Sequence, residues 1–120
     1  MVLDTSIWLA YFHHGHREVA RLLDRGQVQT HRLVIGELAC GHFHHRHEKF
    51  ELLGKLPCLP LVDHDEALRF LEQHNLAGRG VGWIDVHLLA SARLSGSELW
   101  TKDRRLASAA RSVNVKLKYG

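Results

Sequence analysis

The chain has 120 residues, 45% of them hydrophobic and 24% charged, and its formal net charge is +3 with eleven histidines taken as neutral. These values exclude a disordered chain, a fibre and a disulfide-dense scaffold, and they fit one domain, residues 1–120, with a substantial core. The slight basic excess is compatible with a polyanionic partner without demanding one.

Cys40 and Cys58 form no CxxC pair; they fit a reducing cytosol and are expected as small core residues. No apolar run is long enough to span a membrane, and Asp4 interrupts the N-terminus before a signal-peptide core develops. A cytoplasmic protein with no membrane partner is therefore expected.

In chain order, Val2 and Leu3 run into Asp4 as a short buried strand, and Thr5 or Ser6 opens a helix through Ile7, Trp8, Leu9 and Phe12. Val19, Ala20, Leu22 and Leu23 mark a second helix, stopped by Gly26. Gln27 to His31 is a candidate strand. Helical patterns follow from about Leu33 to His47 and from Glu48 to Leu56. Leu59 to Val62 reads as a strand with Pro60 near its start, which points to an edge. Asp63 and Glu66 resemble a capping box before a helix through Ala67, Leu68 and Leu71. Ala77 to Gly82 is a glycine-rich loop; it lacks the Lys-Ser/Thr of a phosphate-binding loop and leads into a helix from Trp83 to about Leu94. Ser95-Gly96-Ser97 is a turn, Glu98 to Thr101 a strand, Asp103 to Arg111 a helix and Val113 to Leu117 a last strand. Alternation of this kind predicts an α/β fold with a parallel sheet covered by helices on both faces.

Most of the thirteen acidic residues stand where charges normally stand. Glu37, by contrast, shares a helix face with Val34 and Gly41, and Asp85 begins the stripe of Leu88, Leu89 and Ala92. Asp103 stands in the same relation to Leu106, Ala107 and Ala110, and Asp4 ends a strand. In open α/β sheets, ligands collect beyond the carboxyl ends of strands. Four carboxylates meeting there would repel one another, two unit charges about 4 Å apart by roughly 4 kcal/mol at an effective dielectric near 20. A divalent cation with oxygen ligands, Mg²⁺ or Mn²⁺, removes the conflict. Singly, Asp4 and Asp103 are read equally well as helix caps, and Glu37 and Asp85 as partners of an arginine. The set of four, each expected at a strand-to-helix junction or a helix start, is harder to explain that way.

With these residues in view, the sequence resembles the PIN-domain family, and specifically the VapC-type toxin ribonucleases of bacterial toxin–antitoxin pairs. The resemblance spans essentially the whole chain. It is carried by Val2-Leu3-Asp4-Thr5-Ser6-Ile7-Trp8, Val34-Ile35-Gly36-Glu37-Leu38, the run from Trp83-Ile84-Asp85 to Ala92, and Leu99-Trp100-Thr101-Lys102-Asp103-Arg104-Arg105-Leu106. It implies a three-layer α/β/α sandwich with a parallel sheet of four or five strands. It also implies a Mg²⁺- or Mn²⁺-dependent endoribonuclease, a homodimer, and a cognate VapB-type antitoxin that blocks the site. By the same resemblance, Asp4, Glu37, Asp85 and Asp103 match the acidic metal-binding quartet, and Thr101 the hydroxyl two residues before the last Asp. Ser6 matches a residue that supports the first Asp, and Thr5 is expected to help orient it. A metal-activated water would then attack the phosphodiester in line, with Asp103 or Glu37 as its base, giving 5′-phosphate and 3′-OH ends.

The basic residues divide into two groups. Arg79, Lys102, Arg104 and Arg105 flank the acidic stretch and either steer phosphate or balance its charge. Arg46 and Lys49 adjoin a histidine cluster, His42, His44, His45 and His47, that offers contacts to RNA phosphates or a plain solvated face. A transition-metal site there, or at His13, His14 and His16, is a weaker reading because no cysteine or carboxylate pattern accompanies it. Trp8, Phe12 and Phe43 are too apolar for open surface; some pack in the core, and the resemblance makes the early helices an antitoxin groove. Two other functions remain open: a non-catalytic PIN-fold module binding RNA or protein, and a phosphoacceptor domain using Asp4 as nucleophile. For the second, Lys102 is the only matching lysine, and its register is wrong.

Overall fold

Two apolar residues with no room for a charge form the first element. In the computed structural model, which describes all 120 residues, β1 spans Val2–Leu3, with both side chains fully buried. Asp4 ends it and caps α1 (Thr5–His14) by accepting from the Ile7 N–H at 3.2 Å. His16 caps α2 (Arg17–Asp24) through its ring nitrogen, and Gly26, in the left-handed region at φ 67°, turns the chain away. Then follow α3 (Arg32–Ala39), α4 (Arg46–Lys55) and α5 (His64–Gln73), the last capped by Asp63 accepting from Glu66 N–H as the sequence pattern predicts. The chain finishes with α6 (Trp83–Ser95), β2 (Leu99–Thr101), α7 (Arg104–Ser112) and β3 (Leu117–Tyr119).

The sheet is parallel, in the order β1-β2-β3, with Val2 opposite Leu99 and Leu99 opposite Leu117. It has three strands, not the four or five expected. The missing two are present only as single bridges, Val2 with Gln29 and Thr30 with Cys58, on the far side of β1. Gln27 to His31 therefore runs beside β1 without becoming a strand. Leu59 to Val62 stays unpaired after Leu59 donates to the Thr30 carbonyl, because the neighbouring segment ends there: His31 caps α3 and the chain turns into that helix. The last strand begins at Leu117 and not at Val113, since Asn114 adopts φ 59° and bends the chain first.

The helix expected from Leu33 to His47 is two helices. α3 ends at Ala39, where the Arg46 guanidinium takes the Ala39 and Gly41 carbonyls at 2.7 Å each. His45 then turns through φ 53° before α4 starts. A histidine-rich run has no apolar period to mark such a break. Cys40 and Cys58 are both exposed free thiols, not core residues. Cys40 falls just beyond α3, and Cys58 lies on the sheet's outermost bridge.

The core joins Trp8, Ile7, Leu38, Leu88, Leu89, Trp100 and Leu106 with the sheet residues. α1 and α7 both pack on β2, α3 packs on α1 and α6, and α5 packs on α6. No helix is long and apolar enough to cross a membrane. The strand segments follow the spatial order 58, 29–30, β1, β2, β3. The chain thus leaves β1 in one direction and β2 in the other, and a crevice opens between their carboxyl ends.

Candidate active site

Asp4 sits at that crevice, 5% exposed, and both of its oxygens are occupied. Oδ1 accepts from Ser6 Oγ at 2.6 Å and from the Ile7 N–H; Oδ2 accepts from the hydroxyl of Thr101 at the end of β2. Each hydroxyl accepts in turn from the next loop, Ser6 from Lys102 N–H at 3.0 Å and Thr101 from Asp103 N–H at 2.9 Å. Two short relays therefore connect the loop after β2 to the two oxygens of one carboxylate.

Glu37, Asp85 and Asp103 line the same cleft, of about 340 Å³, together with Asp4, Thr5, Ser6, Leu9, Val34, Ile84 and Leu88. Each reaches it by a different local device. Asp103 caps α7, its Oδ1 accepting from Arg105 and Leu106 N–H. Asp85, in the first turn of α6, accepts on Oδ2 from Gly82 N–H at 3.2 Å. Glu37 accepts on Oε1 from the Thr5 hydroxyl. All three thus tie down one oxygen and leave the other free. Capping and membership of the cleft turn out to be compatible in the same residue. Thr5 does not orient Asp4 as expected; it points across to α3 and holds Glu37. Glu37 is not at a helix start as expected but in the last turn of α3, since the helix already begins at Arg32 behind the His31 cap. Burial is also less uniform than the helix patterns suggest, because Glu37 and Asp103 are exposed and Asp85 half-buried.

The electrostatics carry the mark of crowding. Burial pushes the Asp4 carboxyl above its usual pKa against the pull of its three hydrogen bonds, and the Asp103 charge adds to the rise. Asp85 is raised chiefly by burial, opposed by the Gly82 N–H, with the charges of Asp103, Asp4 and Glu37 reinforcing the rise. Oxygen-only donors with free lone pairs and mutual repulsion fit a Mg²⁺ or Mn²⁺ ion. The side chains line the cleft without closing on a common point as a ready three-ligand cage. That still suits Mg²⁺, which keeps several waters and takes one or two carboxylates directly.

The basic residues are placed unequally. Lys102 and Arg104 are exposed on either side of Asp103. The Arg79 guanidinium is turned onto α7, donating to Ser112 Oγ at 2.7 Å and Ser108 Oγ at 3.2 Å. Arg46 holds the end of α3 and lies 4.7 Å over the Phe50 ring; Lys49 donates to the His44 carbonyl. Neither histidine cluster gathers three metal-holding side chains. His13 stacks on Phe43 at 5.1 Å, and Phe43 meets the edge of Phe12, which is buried beside Trp8. Two polar features gave no signal in the sequence: the Gly82 N–H on Asp85, and a buried His31–Ser91 pair behind the cleft. Backbone donors are invisible to residue patterns, and a histidine before a helix looks like any other.

A parallel sheet with this switch point and a cleft of oxygen donors at it defines an α/β protein with an acidic site, and the PIN-domain model matches residues 1–112: the chain belongs to the PIN-domain family. Within that family it is of the VapC type. It is 38% identical over 118 residues to "Ribonuclease VapC32" of Mycobacterium tuberculosis, in strains CDC 1551 / Oshkosh and ATCC 25618 / H37Rv, which covers 98% of this chain and 95% of the relative. Among solved structures, PAE2754 from Pyrobaculum aerophilum shares the fold with a TM-score of 0.66 at 17% identity, over 97% of this chain and 87% of that one.

Proposed function

We propose that this protein is the toxin of a type II toxin–antitoxin pair, a Mg²⁺- or Mn²⁺-dependent endoribonuclease. The observation that carries the reading is the set of four carboxylates around one cleft, three of them with a free oxygen. The VapC32 relatives supply the substrate class, RNA. The whole chain acts as one PIN domain in the cytoplasm. Crossovers that leave β1 and β2 in opposite directions, with the right-handedness usual for parallel strands, support its three-layer α/β/α form.

Asp4, Glu37, Asp85 and Asp103 hold the metal, which when bound supplies a water of lowered pKa and neutralises charge on the phosphate. The protein's own groups do the rest. Ser6 and Thr101 fix the Asp4 carboxylate from both sides. Glu37 or Asp103, the two exposed carboxylates, accepts the proton of the attacking water. As the water oxygen bonds to phosphorus, the P–O3′ bond breaks and the 3′ oxygen leaves with the bonding pair and takes a proton from solvent, so the products carry 5′-phosphate and 3′-OH ends. Lys102 and Arg104 draw the RNA backbone toward the cleft; Arg79, Arg46 and Lys49 contribute to the wider basic surface. A VapB-type antitoxin occupies the aromatic face formed by the early helices, where Tyr11, Phe12, Lys49 and Leu52 line a hollow of about 410 Å³. The active form is a homodimer.

The test is cleavage of RNA by purified protein with Mg²⁺ or Mn²⁺, with EDTA, and by Asp4→Asn. Wild type cuts only with metal, and Asp4→Asn loses more than the roughly 10–100-fold typical of supporting residues. Equal residual cleavage by wild type and variant would overturn the enzyme. Binding of RNA without cleavage would instead establish a non-catalytic PIN-fold module.

A further inference from the structure

His31 caps α3 with no exposure at all, and Ser91, equally buried, lies in the third turn of α6. The Leu33 N–H donates to His31 Nδ1 at 3.2 Å, so the ring proton is on Nε2, which donates to Ser91 Oγ at 3.1 Å. Burial, with His87 as a lesser influence, pulls the His31 pKa down to about 4, so the ring stays neutral at working pH.

The two helices run antiparallel across the cleft. His31, at the start of α3, meets Ser91 well along α6, while Glu37 near the end of α3 shares the cleft with Asp85 at the start of α6. The spacings agree. Glu37 follows His31 by six residues and Ser91 follows Asp85 by six, each about 9 Å of helix at 1.5 Å per residue. Halfway between the two pairs, Val34 and Leu88 line the cleft wall. Around Ser91, the buried positions Leu88, Leu89, Ala90 and Ala92 offer His31 no side-chain acceptor, so a slide of α3 along α6 by less than a turn leaves a buried N–H unpaired; the next polar group is the unpartnered Nδ1 of His87, a full turn of about 6 Å away.

We infer that the His31–Ser91 hydrogen bond sets the register of α3 against α6 and thereby holds Glu37 opposite Asp85, making His31 and Ser91 positioning residues of the acidic site. The meaning of that site rests on the function proposed above; the register does not. Other contacts hold Glu37 and Asp85 individually, through Thr5 and Gly82, but this pair is a direct side-chain bond between the helices that carry them.

Three variants of the full chain test it. Ser91→Ala removes the acceptor at little change of volume. His31→Asn keeps a cap for Leu33 but is too short to reach α6, and so stands in if Ser91→Ala does not fold. Val113→Ala, a core truncation at the end of α7, controls for general loss of stability. Two readouts are needed: calorimetric Mn²⁺ binding, and cross-linking of a Glu37→Cys/Asp85→Cys pair by a short bifunctional thiol reagent, with Cys40→Ser and Cys58→Ser in the background. Expected is an approximately tenfold weaker Mn²⁺ affinity in Ser91→Ala and in His31→Asn, the size of one net hydrogen bond, and a severalfold fall in cross-linking. The double variant should lose no more than either single one. Unchanged cross-linking and Mn²⁺ affinity, or an equal fall in Val113→Ala, overturns the inference. If wild type neither binds Mn²⁺ nor cuts RNA while cross-linking still depends on Ser91, the proposed function falls and the register stands.

Discussion

Asp4 is the residue whose environment is most fully specified. Ser6 and Thr101 lie 95 positions apart in the chain, yet each gives its hydroxyl proton to Asp4 and receives one from the loop between β2 and α7. Thr101→Val keeps the shape and removes one relay. It should lower RNA cleavage about 10–100-fold while Tm moves only a few degrees, as single-turnover assays and melting curves will show. The raised pKa values of Asp4 and Asp85 also have a sign. A carboxyl raised in the fold contributes stability below its unfolded pKa and loses that contribution as pH rises through the folded value. In EDTA, Asp4→Asn should therefore raise Tm at pH 7, and raise it less near about pH 4. Added Mn²⁺ should narrow the gap at pH 7 by stabilising wild type alone. His31 acts the other way: its contribution is full above about pH 6.5 and fades as pH falls toward about 4, so variants must be compared with wild type at each pH. At this scale the sequence was informative about which side chains meet. It was silent on which oxygens are spoken for, because the Ile7, Gly82, Arg105 and Leu106 N–H donors belong to no residue type.

Among elements, the glycine loop between α5 and α6 has a firmer role than its composition suggests. Arg79 bonds it to Ser108 and Ser112 of α7, and Gly80, at φ 80°, lies against Arg105, whose Cδ would stand 2.5 Å from an added Cβ. The loop delivering Asp85 is thus fastened to the helix that begins after Asp103. Arg79→Ala should raise amide exchange of residues 78–84 while α1 and α3 stay protected. Gly80→Ala should cost about 1–2 kcal/mol from backbone strain, the flexible Arg105 stem yielding to the new methyl. Both are measurable by hydrogen exchange and denaturant melts. Elements with an apolar period and a cap, such as the α5 and α7 helices, were legible in advance. The α3–α4 break was not, since Arg46 makes it through backbone carbonyls, and the outer strands were overcounted because Gln27 to His31 has strand composition but only one neighbour for each bridge.

For the molecule as a whole, a small net positive charge combined with an acidic cleft means that, under the proposed function, RNA is attracted by the rim, where Lys102 and Arg104 are exposed, and not by the floor. If Lys102 and Arg104 each neutralise one phosphate, replacing both with alanine should flatten the plot of log affinity against log salt by about 1.4, at ~0.7 per contact on single strands. Filter binding of Asp4→Asn, which leaves the RNA intact, measures this. The parallel α/β character was readable because strand and helix signals alternate along the chain. The strand count was not, since it depends on pairings between distant segments. The Asp4–Thr101 bond has a last consequence, in time and not in space. It closes a loop of nearly the entire chain, and β2, on which Asp4 depends, is among the final elements made. Contacts of such sequence separation form late in folding. A chain that stops short of Leu99 lacks Thr101 and the loop after it, and so has no means of setting its first carboxylate. The protein therefore emerges from synthesis without a finished cleft and acquires one only when its C-terminal segment docks.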